Sequence, residues 1–113
     1  MKMNVRHREG VTILAPQGKI TIGAGDIALR EGVGQALEAG AANILIDLSE
    51  VKTIDSSGIG ELVSAYTTVT NRGKKLALFK LPPKVSDLLQ ITQLVTVFDI
   101  HEDEDEAIAA MTG

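Results

Sequence analysis

The segment Val51–Gly60, VKTIDSSGIG, carries the side chains with the clearest chemical potential in this chain. Two hydroxyls, Ser56 and Ser57, follow Asp55 where an extended stretch gives way to a predicted helix. Backbone N–H groups in the first turn of a helix lack intrahelical partners and point outward. A serine at such a place either caps the helix or presents its hydroxyl for modification, and the spacing alone leaves both readings open.

A phosphate on Ser56 would add about −1.5 to −2 charges and three acceptor oxygens at neutral pH. The helix dipole tolerates an anion at a helix N-terminus, so the fold need not melt. The same anion would repel an acidic partner surface or clash in a tight interface. We therefore interpret Ser56 as a candidate switch, at which modification blocks binding and leaves the domain intact.

The residues around this hydroxyl have predicted roles of their own. Asp55 is expected to orient the hydroxyl, to contact a kinase or to cap the helix, and Ser57 is expected to bond a nearby backbone group. Gly58 and Gly60 lack side chains and would let a partner backbone approach, although turn geometry alone also explains Gly58. Ile59 belongs to the same candidate interface, but its helical spacing fits a core position better.

The elements that position this segment alternate between strand and helix patterns. The predicted order is a hairpin around Gly10 (Met3–Glu9 and Val11–Ala15), an extended stretch Gln17–Ile22, a helix from Asp26 to Gly40, a strand Asn43–Leu48, a helix ending at Asn71, a strand Lys75–Leu81, a helix Pro83–Thr92, a strand Val95–Ile100 and a helix ending at Met111. This order predicts a single α/β domain over residues 1–113, with a mixed, mainly parallel sheet. An antiparallel hairpin lies at its N-terminus, and the helices lie mostly on one face.

Local signals set the expected ends of these elements. Pro16 cannot donate in a central ladder, so the strand is expected to end there or to lie at an edge. Asp26 is expected to be the N-cap or a first-turn acid of its helix, and Gly40 is expected to stop that helix. The acidic run Glu102–Glu106 is expected to complement the dipole of the last helix and to aid solubility.

Composition excludes several function classes. The chain has 113 residues, no cysteine, 3% aromatic residues and a net charge of −4. Disulfides, thiol chemistry and cysteine metal sites are thereby excluded, and an acidic surface disfavours nucleic acid and anionic lipid. No apolar run approaches the roughly 20 residues of a membrane span. We expect a cytoplasmic domain without cofactor, metal, direct nucleic-acid contact or membrane insertion.

The DSSGIG motif after an apolar strand, followed by an amphipathic helix closing in NRGKKLAL, resembles the bacterial anti-sigma factor antagonists of the STAS domain family. The resemblance follows the element order over nearly the whole chain and is most specific at Asp55–Gly60. It implies that Ser56 is phosphorylated by an anti-sigma factor with serine kinase activity. It also implies that the unphosphorylated form binds this partner and frees a sigma factor, and that a serine phosphatase resets the cycle.

The stretch Gly18-Lys19-Ile20-Thr21 departs from the pattern that the resemblance implies, because Thr21 stands where such proteins often carry an acid. Thr21 is therefore included in the expected partner-binding set, together with the loop that continues to Gly25. Some members of the family act as scaffold modules of signalling complexes or transport systems without a simple partner switch, and this remains the alternative function. The sequence does not fix the oligomeric state, and a weak homodimer is compatible with it.

Two enzymatic readings are weaker. Gly23 and Gly25 fit a G-x-G-x-x-A dinucleotide pattern with Asp47 downstream, but Asp26 would repel a pyrophosphate there. A serine hydrolase would need a positioned base, and the chain's two histidines lie in predicted sheet-edge segments. We expect a non-enzymatic, protein-binding function.

Overall fold

The computed structural model describes residues 2–113, in which six strands form one sheet and four α-helices pack against its two faces. A short 3₁₀ turn, Leu94–Thr96, precedes the last strand. In chain order the elements are β1 (Lys2–Arg8), β2 (Val11–Ile20), α1 (Ala24–Glu38), β3 (Asn43–Asp47), β4 (Val51–Ile54), α2 (Ser56–Asn71), β5 (Lys75–Phe79), α3 (Pro83–Ile91), β6 (Asp99–His101) and α4 (Glu104–Thr112).

The sheet has the order β1-β2-β3-β5-β6, and β4 pairs with β2 off this path. The β1–β2 hairpin is antiparallel, whereas the other strand pairs are parallel. The predicted class, a mixed and mainly parallel sheet with an N-terminal antiparallel hairpin, is confirmed. Parallel pairing brings the carboxyl ends of β2 and β4 together, and the loops that leave these ends form one surface.

Of the two expectations for Pro16, the end of its strand is wrong, because β2 runs on to Ile20. On the side away from β1, β2 pairs with β3 over Val11–Leu14 and then with β4 over Gly18–Ile20. Pro16 lies in the interval between these two ladders, so its missing N–H interrupts neither of them. The same exchange of partners explains β4, a strand that the sequence prediction did not include.

The sheet carries three helices on one face and one on the other, as predicted. Alternate strand residues point to opposite faces, so Ile44, Ile46, Leu76 and Leu78 pack under α1, α2 and α3, while Leu45, Ala77 and Phe79 pack under α4. Gly40 has a φ of 90° directly after the C-cap of α1, which confirms it as the helix stop.

In the chain's second half one predicted strand is wrong, and at the start of α1 the first-turn alternative for Asp26 is confirmed. The predicted strand Val95–Ile100 is a 3₁₀ turn followed by β6, because only Asp99–His101 find partners on β5. The helix α1 begins at Ala24 behind Gly23, so Asp26 is its first-turn acid and not its N-cap. By contrast, Asp103 caps α4 by accepting from the Glu106 N–H at 2.7 Å, as expected of the acidic run.

Candidate functional site

The N-terminus of α2 is built around the carboxylate of Asp55. Asp55 has extended backbone angles, and its Oδ1 accepts a hydrogen bond from the Gly58 N–H at 2.9 Å. This is the N-cap geometry that satisfies an otherwise unpaired donor of the first helical turn. The capping alternative for Asp55 is therefore confirmed, and the serines that follow do not cap the helix.

The same carboxylate ties α2 to the loop that follows β2. Its second oxygen, Oδ2, accepts from the Ile22 N–H at 3.0 Å. Because the Gly58 and Ile22 N–H groups bond the charged form, they hold the pKa of the Asp55 carboxyl below its ordinary value. One ionised side chain thus fixes the relative positions of the β2–α1 loop and the start of α2.

Two glycines let both helix N-termini sit directly against the end of β2. A Cβ on Gly58 would overlap the Ile20 carbonyl oxygen and lie 2.7 Å from Cγ1 of Ile54. A Cβ on Gly25 would overlap the Lys19 carbonyl oxygen and lie 2.8 Å from the Ile20 Cα. Gly58 is therefore a packing residue, and the expectation that it lets a partner backbone approach is wrong in this conformation.

Ser56 is the first residue of α2 and is exposed, whereas Ser57 is half-buried. Neither hydroxyl hydrogen-bonds another residue of the described range 2–113. The structural bond expected for Ser57 is thus not present, because Asp55 already takes the donor that a serine would cap. The Ser56 hydroxyl is left free at the surface.

Exposed apolar side chains lie on the loop and helix that adjoin Ser56. Ile22, whose N–H bonds Asp55, is 76% exposed, and Ile27 on the first turns of α1 is 44% exposed. Gly60 is exposed, with open space where a side chain would be. We call Ile22, Ile27, Ser56 and Gly60 the rim. The sequence analysis included Ile22 only as part of the loop from Thr21 to Gly25, and it missed Ile27 on α1.

The other predicted interface residues are placed differently. Ile59 is 5% exposed and belongs to the core beneath α2, so its assignment to the interface is wrong for the side chain. Thr21 is half-buried, and its carbonyl accepts from the Asp26 N–H at 3.1 Å, which positions the start of α1. Thr21 therefore shapes the loop that carries Ile22.

A bidentate ion pair joins α1 to α2 beside the rim. The Arg30 guanidinium donates to both carboxylate oxygens of Glu61, at 3.1 and 3.2 Å. This pair raises the pKa of Arg30 further above its already high value. The Arg30 charge is thereby compensated by Glu61 within the domain.

The rival chemistries find little support in the geometry. Gly25 packs against Lys19, and the strand before it is paired antiparallel with β1, unlike the first strand of a dinucleotide fold. Within residues 2–113 no group of three or more His, Asp or Glu side chains is arranged to hold a metal ion. None of the helices described has the length and apolar character to cross a membrane.

Comparison with known proteins identifies the fold and the family. The STAS domain family matches residues 2–107. The chain is 23% identical to an anti-sigma F factor antagonist of Paenibacillus polymyxa over 98% of this chain and 95% of the relative. A crystal structure from Thermotoga maritima, of a protein proposed to be an anti-sigma factor antagonist, superposes with a TM-score of 0.90 at 25% identity, covering 98% and 95% of the two chains.

The fold is also shared with a protein solved in a modified state. The phosphorylated form of the Bacillus cell fate determinant SpoIIAA superposes with a TM-score of 0.72 at 17% identity, covering 96% of this chain and 98% of the other. Because the family match extends over nearly the whole sequence, this chain belongs to the STAS domain family.

Proposed function

We propose that this STAS domain protein is a non-enzymatic anti-sigma factor antagonist gated by phosphorylation of Ser56. In the unphosphorylated state its rim binds an anti-sigma factor with serine kinase activity in the cytoplasm and thereby frees a sigma factor. Phosphate on Ser56 ends this binding, and a serine phosphatase restores it. The names of the relatives support the antagonist class, and the geometry of Ser56 supports the gate.

The observation that carries the proposal is a free, exposed hydroxyl at a helix start whose capping position is already filled. Since Asp55 holds the Gly58 N–H, a phosphate on Ser56 finds that inward-facing donor occupied. Its charge therefore remains at the surface and next to the Asp55 carboxylate. The modification changes the surface while the helix stays capped.

The rim explains why such a charge would release a partner. Ile22 and Ile27 offer apolar contact area on either side of the loop, and exposed apolar side chains gain free energy when an interface removes them from water. A dianion placed beside them cannot be desolvated cheaply, and it repels any acidic group of the partner. Binding and phosphorylation at this surface are therefore mutually exclusive.

The test uses the anti-sigma factor with serine kinase activity from the same genome, ATP, and three forms of this chain. Wild type and Ser57→Ala should accept one phosphate, whereas Ser56→Ala should accept none. The purified phosphoprotein should bind the ADP-bound anti-sigma factor about a hundredfold or more weakly than the unmodified chain, because like charges across an interface cost several kcal/mol.

Two results would reject parts of the proposal separately. Phosphate transfer to Ser56→Ala at the wild-type rate would show that the acceptor lies elsewhere. Equal affinity of the phosphorylated and unmodified chains would show that the modification does not gate binding. Failure of wild type to bind any anti-sigma factor would favour a scaffold role for the domain.

A further inference from the structure

The outer edge of β1 is the longest free strand edge in the described sheet. β1 spans seven residues, Lys2–Arg8, and pairs with β2 over its whole length without a register shift. It is the last strand on its side of the sheet, so its other edge has no strand partner within residues 2–113. Such an edge is a template for pairing with another strand.

The hairpin turn determines which backbone groups face outward. Glu9 and Gly10 form a two-residue turn with φ values of 50° and 80°, which is typical of type I′. In this hairpin Arg8 and Val11 exchange hydrogen bonds, and bonded and non-bonded pairs alternate along the ladder. The N–H and C=O groups of Met3, Val5 and His7 therefore point away from β2.

Few of the usual guards of a free edge are found here, and apart from its arginines β1 carries one lysine, Lys2, at its first position. β1 contains no proline, and its two arginines are held against α4 on one face of the sheet. Arg8 donates to Glu104 at 2.8 Å and also bonds Asp105, while Arg6 pairs with Glu104. The acidic residues of α4 thereby compensate the positive charges of Arg6 and Arg8, which would otherwise repel a second copy of β1.

The opposite face of the edge is apolar and incompletely filled. Val5 is 54% exposed at the centre of β1. Beside it lies a hollow of about 170 Å³ under α1, whose lining includes Val5, His7, Gly32 and Ala36. Small residues on α1 leave this space open, and side chains of an added strand would cover it.

We propose that two copies of this chain pair antiparallel through their β1 edges, with Val5 on the two-fold axis. This register overlaps all residues from Lys2 to Arg8 and bonds Met3 of each copy to His7 of the second copy. A two-fold axis at Arg6 would instead overlap only the residues from Asn4 to Arg8 and would leave Lys2 and Met3 without partners. The pairing is isologous, so it closes as a dimer and does not propagate.

The alternative edges of the chain fit a β1 strand less well. β4 spans four residues and β6 spans three, so pairing β1 with either would leave much of its edge unbonded. Those pairings would also be heterologous and open-ended. Because a seven-residue strand pair is small compared with stable interfaces, the dimer should be weak and concentration-dependent.

Sedimentation velocity between about 10 μM and 1 mM tests the association, since small interfaces dissociate in this range. The weight-average mass of wild type should rise from 12.0 kDa toward twice that value. Val5→Pro removes an outward N–H without breaking the β1–β2 ladder, and Val5→Lys places a charge on the axis. Both should remain monomeric, while the matched control Val95→Lys, at another exposed valine, should dimerise as wild type does.

Amide chemical shifts recorded over the same range test the register. Met3, Val5 and His7 should shift with concentration, whereas Asn4 and Arg6, whose N–H groups bond β2, should shift much less. A wild type that stays at 12.0 kDa overturns the proposal, as does a Val5→Lys variant that dimerises normally. Binding of the anti-sigma factor is measured separately at the rim, so loss of one property leaves the other testable.

Discussion

Substituting Gly58 by alanine should destabilise the fold, although the same change elsewhere in α2 should stabilise it. Glycine costs a helix about 1 kcal/mol relative to alanine, so Gly→Ala is favourable where space allows. At Gly58 the new Cβ would overlap the Ile20 carbonyl oxygen and lie 2.7 and 2.9 Å from side-chain carbons of Ile54 and Ile20. The effect of Gly58→Ala on stability is therefore the difference between a steric cost and a gain in helix propensity.

The magnitude follows from the distances. Relaxed carbon pairs lie about 3.5–4.0 Å apart, so α2 must move by about 1 Å from the end of β2. Overpacking of this kind costs about 1–3 kcal/mol or more, and a carbonyl in the path admits no rotamer change that relieves it. After the propensity gain of about 1 kcal/mol, we expect Gly58→Ala to lower the free energy of unfolding by up to about 2 kcal/mol, or the thermal midpoint by up to about 10 °C.

Urea unfolding followed by circular dichroism measures this change, and Gly60→Ala is the matched control. Gly60 lies two residues further along α2, is exposed and has nothing within 4 Å of its missing Cβ. This variant should gain about 0.5–1 kcal/mol. If Gly58→Ala were as stable as Gly60→Ala, the close seating of α2 on β2 would be refuted.

Three further predictions concern ionised groups and the aromatic contact. The pKa of Asp55 is lowered in the folded state, so its carboxylate stabilises the fold above the ordinary pKa near 3.8, and this stabilisation is lost as the pH falls. The thermal midpoint of wild type should therefore exceed that of Asp55→Asn at neutral pH. This difference should shrink below about pH 4 and vanish in stronger acid. Glu104→Gln should lower the thermal midpoint at about 50 mM salt and lower it less at about 1 M, since salt screens the partly exposed ion pair of Glu104 with Arg8. Equal losses at both salt concentrations would contradict the ionic origin. Phe98 is 5% exposed and packs edge-on against Tyr66, with 5.5 Å between the ring centroids. Phe98→Ala should lower the free energy of unfolding in urea by about 3–5 kcal/mol. A decrease below about 1 kcal/mol would contradict this packing.

The sequence predicted the parts of the fold that depend on local patterns. The amphipathic helices, the stop at Gly40 and the alternation of strands and helices all follow from residue spacing and glycine conformation. The course of β2 through Pro16 did not follow, because it depends on a change of partner from β3 to β4. Likewise, Val97 and Phe98 have strand-like composition, but only pairing with β5 decides where β6 begins.

The candidate site shows the same division. The position of Ser56 at the helix start could be predicted from the motif, and the capping alternative for Asp55 follows from residue type. The bond from Ile22 to Asp55 spans 33 residues and could not be predicted, since it depends on β2 and β4 ending side by side. The close seating of Gly58 is equally non-local, because its constraint comes from the Ile20 carbonyl.

The arrangement at the start of α2 separates stability from signalling. If Ser56 were the N-cap, its hydroxyl would be engaged with the helix, and a phosphate there would disturb a cap whose loss costs about 1 kcal/mol. Here Asp55 supplies the cap and anchors Ile22, while Gly58 lets the helix close onto β2. Ser56 consequently has no structural bond to lose among the described residues, so a charge can be added and removed there without unfolding the domain that carries it.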